Sequence, residues 1–159
     1  MPETVNLMGD NMNIAIGSDH AGYRRKEDLK KFLSRKNIRL EDVGTHSSEP
    51  VDYPDIAEKV AKKVSRDKTS KGILVCGSGT GMTIAANKVK GIRAVAAYDN
   101  YTAKMSRVDN NANVLGLRGR GFPLDKTKRI VSTWLKTAFS KKKRHAQRID
   151  KIAKLERKR

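Results

Sequence analysis

Residues 72–82 read Gly-Ile-Leu-Val-Cys-Gly-Ser-Gly-Thr-Gly-Met, and this stretch decides the fold. Its first half is a short apolar run, which is typical of a strand buried on both faces of a parallel sheet. Its second half has a glycine at every other position, which predicts a tight turn into a helix. A buried strand that turns directly into a helix indicates an α/β protein, in which helices connect parallel strands.

The same alternation extends along most of the chain. Short apolar runs bounded by Gly, Asn or Asp predict five strands, and longer amphipathic segments predict the helices. Together they predict a five-stranded parallel sheet covered by helices on both faces. We predict strands at 13–18, 39–43, 72–76, 93–98 and 113–117, and helices near 22–36, 54–66, 82–89, 100–107 and 124–138 and from about 144 onward.

Length and composition limit the class of protein. The chain has 159 residues, of which 37% are hydrophobic, and this is the size of one domain. Residues 1–12 carry no pattern, so we expect a flexible leader there and a single domain over 13–159. No apolar run approaches the ~20 residues that a membrane helix needs, and nothing in residues 1–12 is typical of a signal peptide. We therefore expect a soluble, cytoplasmic protein that does not bind membranes.

The charge balance favours an anionic partner. There are 35 Lys and Arg against 17 Asp and Glu, a formal net charge of +18, which favours a polyanion or a phosphorylated ligand. The last 24 residues carry +9 of this, and Ile149, Ile152 and Leu155 recur there at three-residue intervals, which predicts a basic C-terminal helix. Nucleic-acid binding is an alternative, but only 5% of the residues are aromatic and no nucleic-acid-binding motif is present, which argues against it.

Two strand ends carry the residues that best fit a binding site. In an open parallel sheet, ligands bind beyond the carboxyl ends of the strands where the strand order reverses, here between strands one and three. The first strand runs into Asp19 and His20, and the third into Cys76 and the glycine-rich run 77–81. We therefore expect these two segments to form the site.

The run 77–81 has two interpretations. Glycines allow backbone N–H groups to approach an anion at the start of a helix, but a glycine-rich turn is often only a tight turn. Met82 stands where a dinucleotide fingerprint has its third glycine, and no Gly-Lys-Ser/Thr follows. Dinucleotides and nucleoside triphosphates are therefore disfavoured as ligands.

Cys76 also has two interpretations. As the only cysteine it can form neither an internal disulfide nor a cysteine zinc site, so no structural metal is implied. A lone cysteine is often a small buried hydrophobe, but before a helix and near cations the thiolate form is favoured and can act as a base or a nucleophile. His20 is placed to face Cys76, whereas His46 and His145 are interpreted as loop and surface residues.

Three arginines are candidates for holding a phosphate group. Arg144 and Arg148 are four residues apart and therefore share one helix face. With Arg120, after strand five, they would bind a phosphate monoester if the helix folded back over the glycine-rich run. The alternative is a solvated basic face.

Seven short strings carry a resemblance to a known family. They are Gly-Ser-Asp-His-Ala-Gly (17–22), Asp-Tyr-Pro (52–54), Cys-Gly-Ser-Gly-Thr-Gly-Met (76–82), Ile-Ala-Ala-Asn-Lys (84–88), Gly-Ile-Arg-Ala (91–94), Asn-Ala-Asn-Val-Leu-Gly (111–116) and Arg-His-Ala-Gln-Arg (144–148). In order and spacing, from about residue 13 to the C-terminus, the chain closely resembles the type B ribose-5-phosphate isomerases and their galactose-6-phosphate isomerase relatives.

The resemblance implies a fold, a reaction and an assembly. The family has a Rossmann-like three-layer α/β/α sandwich and converts an aldose phosphate to its ketose without a cofactor. Its homodimers or homotetramers share sites at subunit interfaces, so we expect the segment 109–120 to reach the Cys76 loop of a neighbouring subunit. The substrate expected is ribose 5-phosphate, converted to ribulose 5-phosphate in the pentose phosphate pathway. The alternative is a hexose 6-phosphate isomerase acting on allose or galactose 6-phosphate.

The resemblance also implies roles for single residues. Cys76 matches the base that moves a proton between C2 and C1 of the sugar through an enediolate. Ser78 and the amides of the run 77–81 would stabilise the enediolate oxygen. The substrate-binding residues implied are Asp19, His20, Gly77, Ser78, Gly79, Thr80, Gly81 and Asn110, with Arg120, Arg144 and Arg148 for the phosphate.

One residue departs from the family pattern. Asp109 stands where many members have a histidine that resembles a ring-opening acid. An aspartate among many cations stays ionised, so it accepts a proton but does not donate one. We expect Asp109 to accept the C1 hydroxyl proton or to position Asn110, and His20 to supply or relay the proton for the ring oxygen.

Overall fold

The computed structural model describes residues 12–158 and confirms the α/β architecture. Its strands are β1 (Met12–Ser18), β2 (Ile38–Asp42), β3 (Lys71–Cys76), β4 (Ala94–Ala96) and β5 (Val114–Arg118). Its helices are α1 (Tyr23–Ser34), α2 (Tyr53–Arg66), α3 (Thr80–Ala86), α4 (Asn100–Asn110), α5 (Leu124–Lys136) and α6 (Lys143–Arg157), so the predicted basic C-terminal helix is present.

The five strands form one parallel sheet in the order β2-β1-β3-β5-β4. β3 is central, and its last residues pair with β1 on one side (Ser18 with Val75) and with β5 on the other (Cys76 with Arg118). We call the side where the strands end the carboxyl edge and the side where they begin the amino edge. Because β5 rather than β4 pairs with β3, three strand ends meet at the carboxyl edge.

Two apolar layers cover the sheet, as predicted for a three-layer fold. The alternation of side chains along β3 divides them between the layers: Ile73 and Val75 pack on the side of α1 and α5, whereas Leu74 and Cys76 pack on the side of α2 and α3. The first layer contains Trp134, the largest fully buried side chain. The Cys76 side chain therefore lies at the carboxyl edge, on the face of the sheet that α2 and α3 cover.

Some boundaries differ from the predicted ones. β1 begins at Met12, which is buried, so this residue belongs to the sheet and not to the predicted leader; residues 1–11 of that leader lie outside the described residues. β4 covers only Ala94–Ala96 because it is an edge strand that pairs with β5 alone. α3 begins at Thr80, because the left-handed Gly79 before it lets the helix start within the glycine-rich run. In the span 12–158, no helix is long and apolar enough to cross a membrane.

Candidate active site

A pocket of about 470 Å³ opens at the carboxyl edge, where sequence analysis predicted the site. β1, β3 and the segment after β5 contribute the side chains and amides that line it, and one wall comes from the start of α2. Its lining residues are Asp19, His20, Ala21, Tyr53, Cys76, Gly77, Ser78, Thr80, Gly81 and Arg120. We call it the Cys76 pocket.

The Cys76 thiol is held by a backbone amide of the glycine-rich run. Cys76 is only 4% exposed, and the Gly79 N–H donates a hydrogen bond to its Sγ at 3.1 Å. Gly79 has φ of +84°, and a Cβ there would lie 2.9 Å from the backbone carbon of Leu117, so only glycine fits. This hydrogen bond fixes the sulfur at the start of the glycine-rich run, beside the backbone amides of the pocket.

The segment after β5 brings Arg120 into the same pocket. The Gly119 N–H donates to the Cys76 carbonyl at 2.8 Å, and the Arg120 N–H donates to the Gly77 carbonyl at 3.2 Å. These two bonds fasten the chain beyond β5 to the glycine-rich run of the same subunit. The expectation that the whole segment 109–120 reaches a neighbouring subunit is therefore wrong for Arg120.

Asp19 and His20 lie at the end of β1, beside the thiol. Asp19 is buried and accepts a hydrogen bond from the Gly22 N–H at 2.9 Å. Gly22 approaches β3 so closely that a Cβ there would lie 2.2 Å from the Val75 carbonyl oxygen. His20 accepts the Val51 N–H at Nδ1, at 3.2 Å, so in the neutral ring Nε2 carries the proton. A proton donor and a carboxylate therefore stand on the pocket wall opposite the glycine-rich run.

An ion-pair network supports the strand end beneath these residues. Burial disfavours the charge of Asp42, but hydrogen bonds from Lys26, Lys30 and the Gly44 N–H outweigh it and hold the pKa of Asp42 below its usual value. Gly44 in turn accepts the Ser18 N–H at 2.7 Å. The charged network thus fixes the end of β1, from which Asp19 and His20 project.

Two pocket residues, Ala21 and Tyr53, were not proposed as functional from the sequence, and Tyr53 is the one with a polar side chain. Its ring covers Gly81 so closely that a Cβ on Gly81 would lie 2.7 Å from a ring carbon. On the other side of the run, the Ser78 hydroxyl lies 2.8 Å from that of Thr80, and the Tyr98 hydroxyl donates to the Ser78 carbonyl at 2.8 Å. The sequence signal that could have identified Tyr53 is its place in the string 52–54, which carries the family resemblance. Hydrophobic periodicity does not mark an exposed aromatic residue at the start of a helix.

The remaining four predicted site residues lie at the amino edge. Asp109 and Asn110 end α4, and the chain then enters β5 beside the start of β3, where the Gly72 N–H donates to the Asn113 carbonyl at 2.9 Å. At about 3.3 Å per residue, the strand from Gly72 to Cys76 separates the two edges by roughly 13 Å. One chain therefore does not bring these residues to its own Cys76 pocket.

α6 lies with this second group. Its first turn packs on the end of α4, where His145 Nε2 lies 3.4 Å from an Asp109 carboxylate oxygen. Arg144 and Arg148 flank His145 in sequence and are exposed. The helix does not fold back over its own glycine-rich run, so the proposed clamp of Arg120, Arg144 and Arg148 does not form within one subunit.

His145 is not the surface residue that sequence analysis expected. It is 6% exposed and is the buried residue of α6. Its Nδ1 lies 2.7 Å from the Ser140 hydroxyl, so the ring is held between that hydroxyl and Asp109. The surface interpretation failed because a charge-rich helix pattern does not reveal which polar side chain faces the neighbouring helix.

No group of three or more His, Cys, Asp or Glu side chains in the described part of the chain is arranged to hold a metal ion. The groups that line the Cys76 pocket are a thiol, an imidazole, a carboxylate, hydroxyls, backbone amides and a guanidinium. A base beside preorganised donors is what an enediolate intermediate requires.

The fold and the pocket together are those of a sugar-phosphate isomerase. Residues 14–152 match the family model described as Ribose/Galactose Isomerase. The chain belongs to this family.

Solved structures and a curated relative agree with the assignment. The ribose-5-phosphate isomerase B of Clostridium thermocellum is 48% identical, with a TM-score of 0.90, covering 92% of this chain and 99% of that one. The Mycoplasma genitalium ribose-5-phosphate isomerase B, solved with bound ribulose-5-phosphate, is 38% identical with a TM-score of 0.90, covering 95% and 100%. D-erythrulose-4-phosphate isomerase 2 of Mycolicibacterium smegmatis is 39% identical, covering 89% of this chain and 95% of that protein.

Proposed function

We propose that this protein interconverts D-ribose 5-phosphate and D-ribulose 5-phosphate, as an enzyme of the pentose phosphate pathway that uses no cofactor. The observation that carries the proposal is the hydrogen bond from the Gly79 N–H to Cys76 Sγ, in a pocket that also holds Arg120. Two similar structures bear the name of this activity, and one of them holds ribulose-5-phosphate.

The reaction moves one proton between adjacent carbons. The Cys76 thiolate removes the proton from C2 of the open-chain aldose, and the electrons shift to give an enediolate whose negative charge rests on the C1 oxygen. The thiol then returns the proton to C1, and the proton of the C2 hydroxyl passes to the C1 oxygen, which leaves a ketone at C2 and a hydroxyl at C1. Ser78 and the amides of the run 77–81 stabilise the charged oxygen, and Asp19 and His20 bind the sugar hydroxyls.

A second copy of the chain completes the site in this proposal. Asp109, Asn110, Arg144 and Arg148 lie together at the amino edge, whereas Cys76 and Arg120 lie at the carboxyl edge. A homodimer or homotetramer that places one copy's amino edge over the Cys76 pocket of another brings both groups onto one substrate. The exposed Arg144 and Arg148 then add to Arg120 in holding the phosphate.

Ring opening falls to groups other than a histidine at position 109. Asp109 accepts the C1 hydroxyl proton or positions Asn110. His20, which carries its proton on Nε2 in the neutral ring, supplies or relays a proton to the ring oxygen of the sugar.

The decisive experiment is formation of ribulose 5-phosphate from ribose 5-phosphate, followed without added metal or nucleotide and again with a chelator present. Comparing kcat/KM for ribose 5-phosphate with those for D-erythrulose 4-phosphate, allose 6-phosphate and galactose 6-phosphate then identifies the preferred chain length. The four-carbon substrate is included because the Mycolicibacterium relative is named for it. A preference for a four- or six-carbon sugar would overturn the pentose assignment but retain the reaction, and no turnover of any of the four would overturn both.

A further inference from the structure

A second cavity, of about 380 Å³, lies at the amino edge of the sheet. It is bounded by the end of α2, the start of β3, the segment before β4 and the end of α4. No carboxylate of the described residues lines it. The charged residues that line it are all cations, Lys68, Lys71, Arg93 and Arg107, and polar groups come from Ser65, Ser70, Asn111 and Asn113.

A structural role explains part of this cationic lining. Arg107 donates hydrogen bonds to the Thr137 and Ala112 carbonyls, and Arg93 donates to the Asn110 and Asn111 carbonyls. These bonds satisfy carbonyls at the end of α4 and, at Thr137, the carbonyl that follows α5. Each guanidinium is fixed in place, while Nη1 of Arg93 and Nη2 of Arg107 take no partner among residues 12–158.

Lys71 has no such role. No hydrogen bond or ion pair joins its ammonium group to any residue of the described span. Burial, together with the nearby Arg107, lowers the pKa of Lys71 to about 8. The carboxylate of Glu156 accepts the Gly91 N–H at 3.0 Å and interacts electrostatically with Arg93. Lys71 thus lies among cations, and no carboxylate of the described residues pairs with its ammonium group.

We propose that this cavity binds a small phosphate-type anion, free or as a phosphate ester, with Lys71 as its main charged contact. A doubly charged tetrahedral oxyanion supplies the missing negative charge and presents acceptors in several directions. The free Nη groups and the side-chain amides of Asn111 and Asn113 are the donors available to it. The hydroxyls of Ser65 and Ser70 already donate to the Lys62 and Asp67 carbonyls. Within one subunit this cavity is separate from the Cys76 pocket, which lies with Arg120 at the other edge of the sheet.

The test measures anion binding in a background that weakens the Cys76 pocket. In Arg120→Ala protein, inorganic phosphate, pyrophosphate and glycerol 3-phosphate are titrated by calorimetry, and the titration of Lys71 is followed by ¹³C NMR of its Cε. We expect Lys71→Met to weaken binding about ten-fold or more, since one charge-assisted contact is lost. Lys71→Arg should retain most of the affinity, and Lys59→Met, an exposed lysine of α2, should not change it. A saturating anion should also raise the pKa of Lys71.

Unchanged affinity in Lys71→Met, or an unchanged pKa of Lys71 with saturating anion, would overturn the proposal. So would an equal effect from chloride at matched ionic strength, which indicates screening alone. Binding of inorganic phosphate as tight as that of glycerol 3-phosphate identifies the phosphate group itself as the ligand, whereas binding of the ester alone identifies a phosphorylated metabolite. If Lys71→Met does not fold, the NMR titration of Lys71 in the Arg120→Ala chain decides.

Discussion

The two edges of the sheet expose different backbone groups, N–H groups at the carboxyl edge and carbonyls at the amino edge. At the carboxyl edge, the run 77–81 presents N–H groups, one of which binds Cys76 Sγ. At the amino edge, the end of α4 presents carbonyls, and arginine side chains cover them. This difference follows from a parallel sheet, which gathers helix starts at one edge and helix ends at the other.

The comparison explains why the predicted site residues separate into two groups. An edge rich in amides stabilises negative charge on a thiolate or an enediolate, so the proposed proton transfer belongs there. An edge rich in carbonyls attracts cations, and it collects Arg144, Arg148 and the arginines that cover α4. In the proposed function, a second copy of the chain joins the two kinds of edge around one substrate.

The largest expected effect comes from the thiol. Cys76→Ala should lower kcat by about a hundred-fold or more, because a general base is lost, while sugar-phosphate affinity changes by less than about three-fold, since the phosphate is held elsewhere. Substrate should protect the unmodified thiol from iodoacetamide. Calorimetric binding of ribose 5-phosphate to the variant is the control, and a residual kcat above a few percent would reject Cys76 as the base.

Mixing inactive subunits tests whether the edges belong to different copies. Cys76→Ala and Asn110→Ala chains, unfolded and refolded together, should recover about a quarter of wild-type activity, because half of the random dimers are hybrids with one intact site. The matched pair, Cys76→Ala with Arg120→Ala, should recover nothing, because both residues line the same subunit's pocket. Equal recovery of activity from the two pairs would mean that Asn110 and Arg120 have the same relation to Cys76. It would refute a site shared between two subunits.

A smaller, several-fold effect is expected at Asp109. Asp109→His introduces a proton donor and should raise turnover of ring-closed ribose 5-phosphate, while the reverse reaction from ribulose 5-phosphate, which forms no furanose ring, changes much less. The comparison of the two directions is the measurement. If Asp109→His and Asp109→Asn both lower both directions, the aspartate is itself an adapted catalytic group.

The smallest effect concerns stability at the amino edge. The pKa of Lys71 is about 8 in the folded protein against 10.5 ordinarily, so between these pH values the unfolded chain holds more protons and wild-type stability rises with pH. Urea unfolding at pH 7, 9 and 10.5 measures the free energy of unfolding of both proteins. That of wild type should rise relative to that of Lys71→Met across this range. The pKa of Lys30 is raised by its hydrogen bond to Asp42, so this group stays charged in both proteins over most of the range. If the difference in unfolding free energy between wild type and Lys71→Met stays constant with pH, the lowered pKa of Lys71 is contradicted.

The sequence alone determined the local elements and the core of the candidate site. Apolar runs placed the five strands, and the glycine-rich run 77–81 located the turn at Cys76, because periodicity and glycine content are properties of neighbouring residues. Asp19 and His20 followed from the rule that parallel strands expose their ends at one edge. These residues do meet in one pocket.

Only the tertiary structure decided which distant segments join that pocket. Pairing of β5 with β3 brings Arg120 to its own subunit's run 77–81, and packing of α6 on α4 buries His145 against Asp109. The same packing leaves Arg144 and Arg148 at the opposite edge from Cys76. Strand order and helix docking arise from burial of surfaces far apart in the chain, so no local pattern of residues encodes them separately.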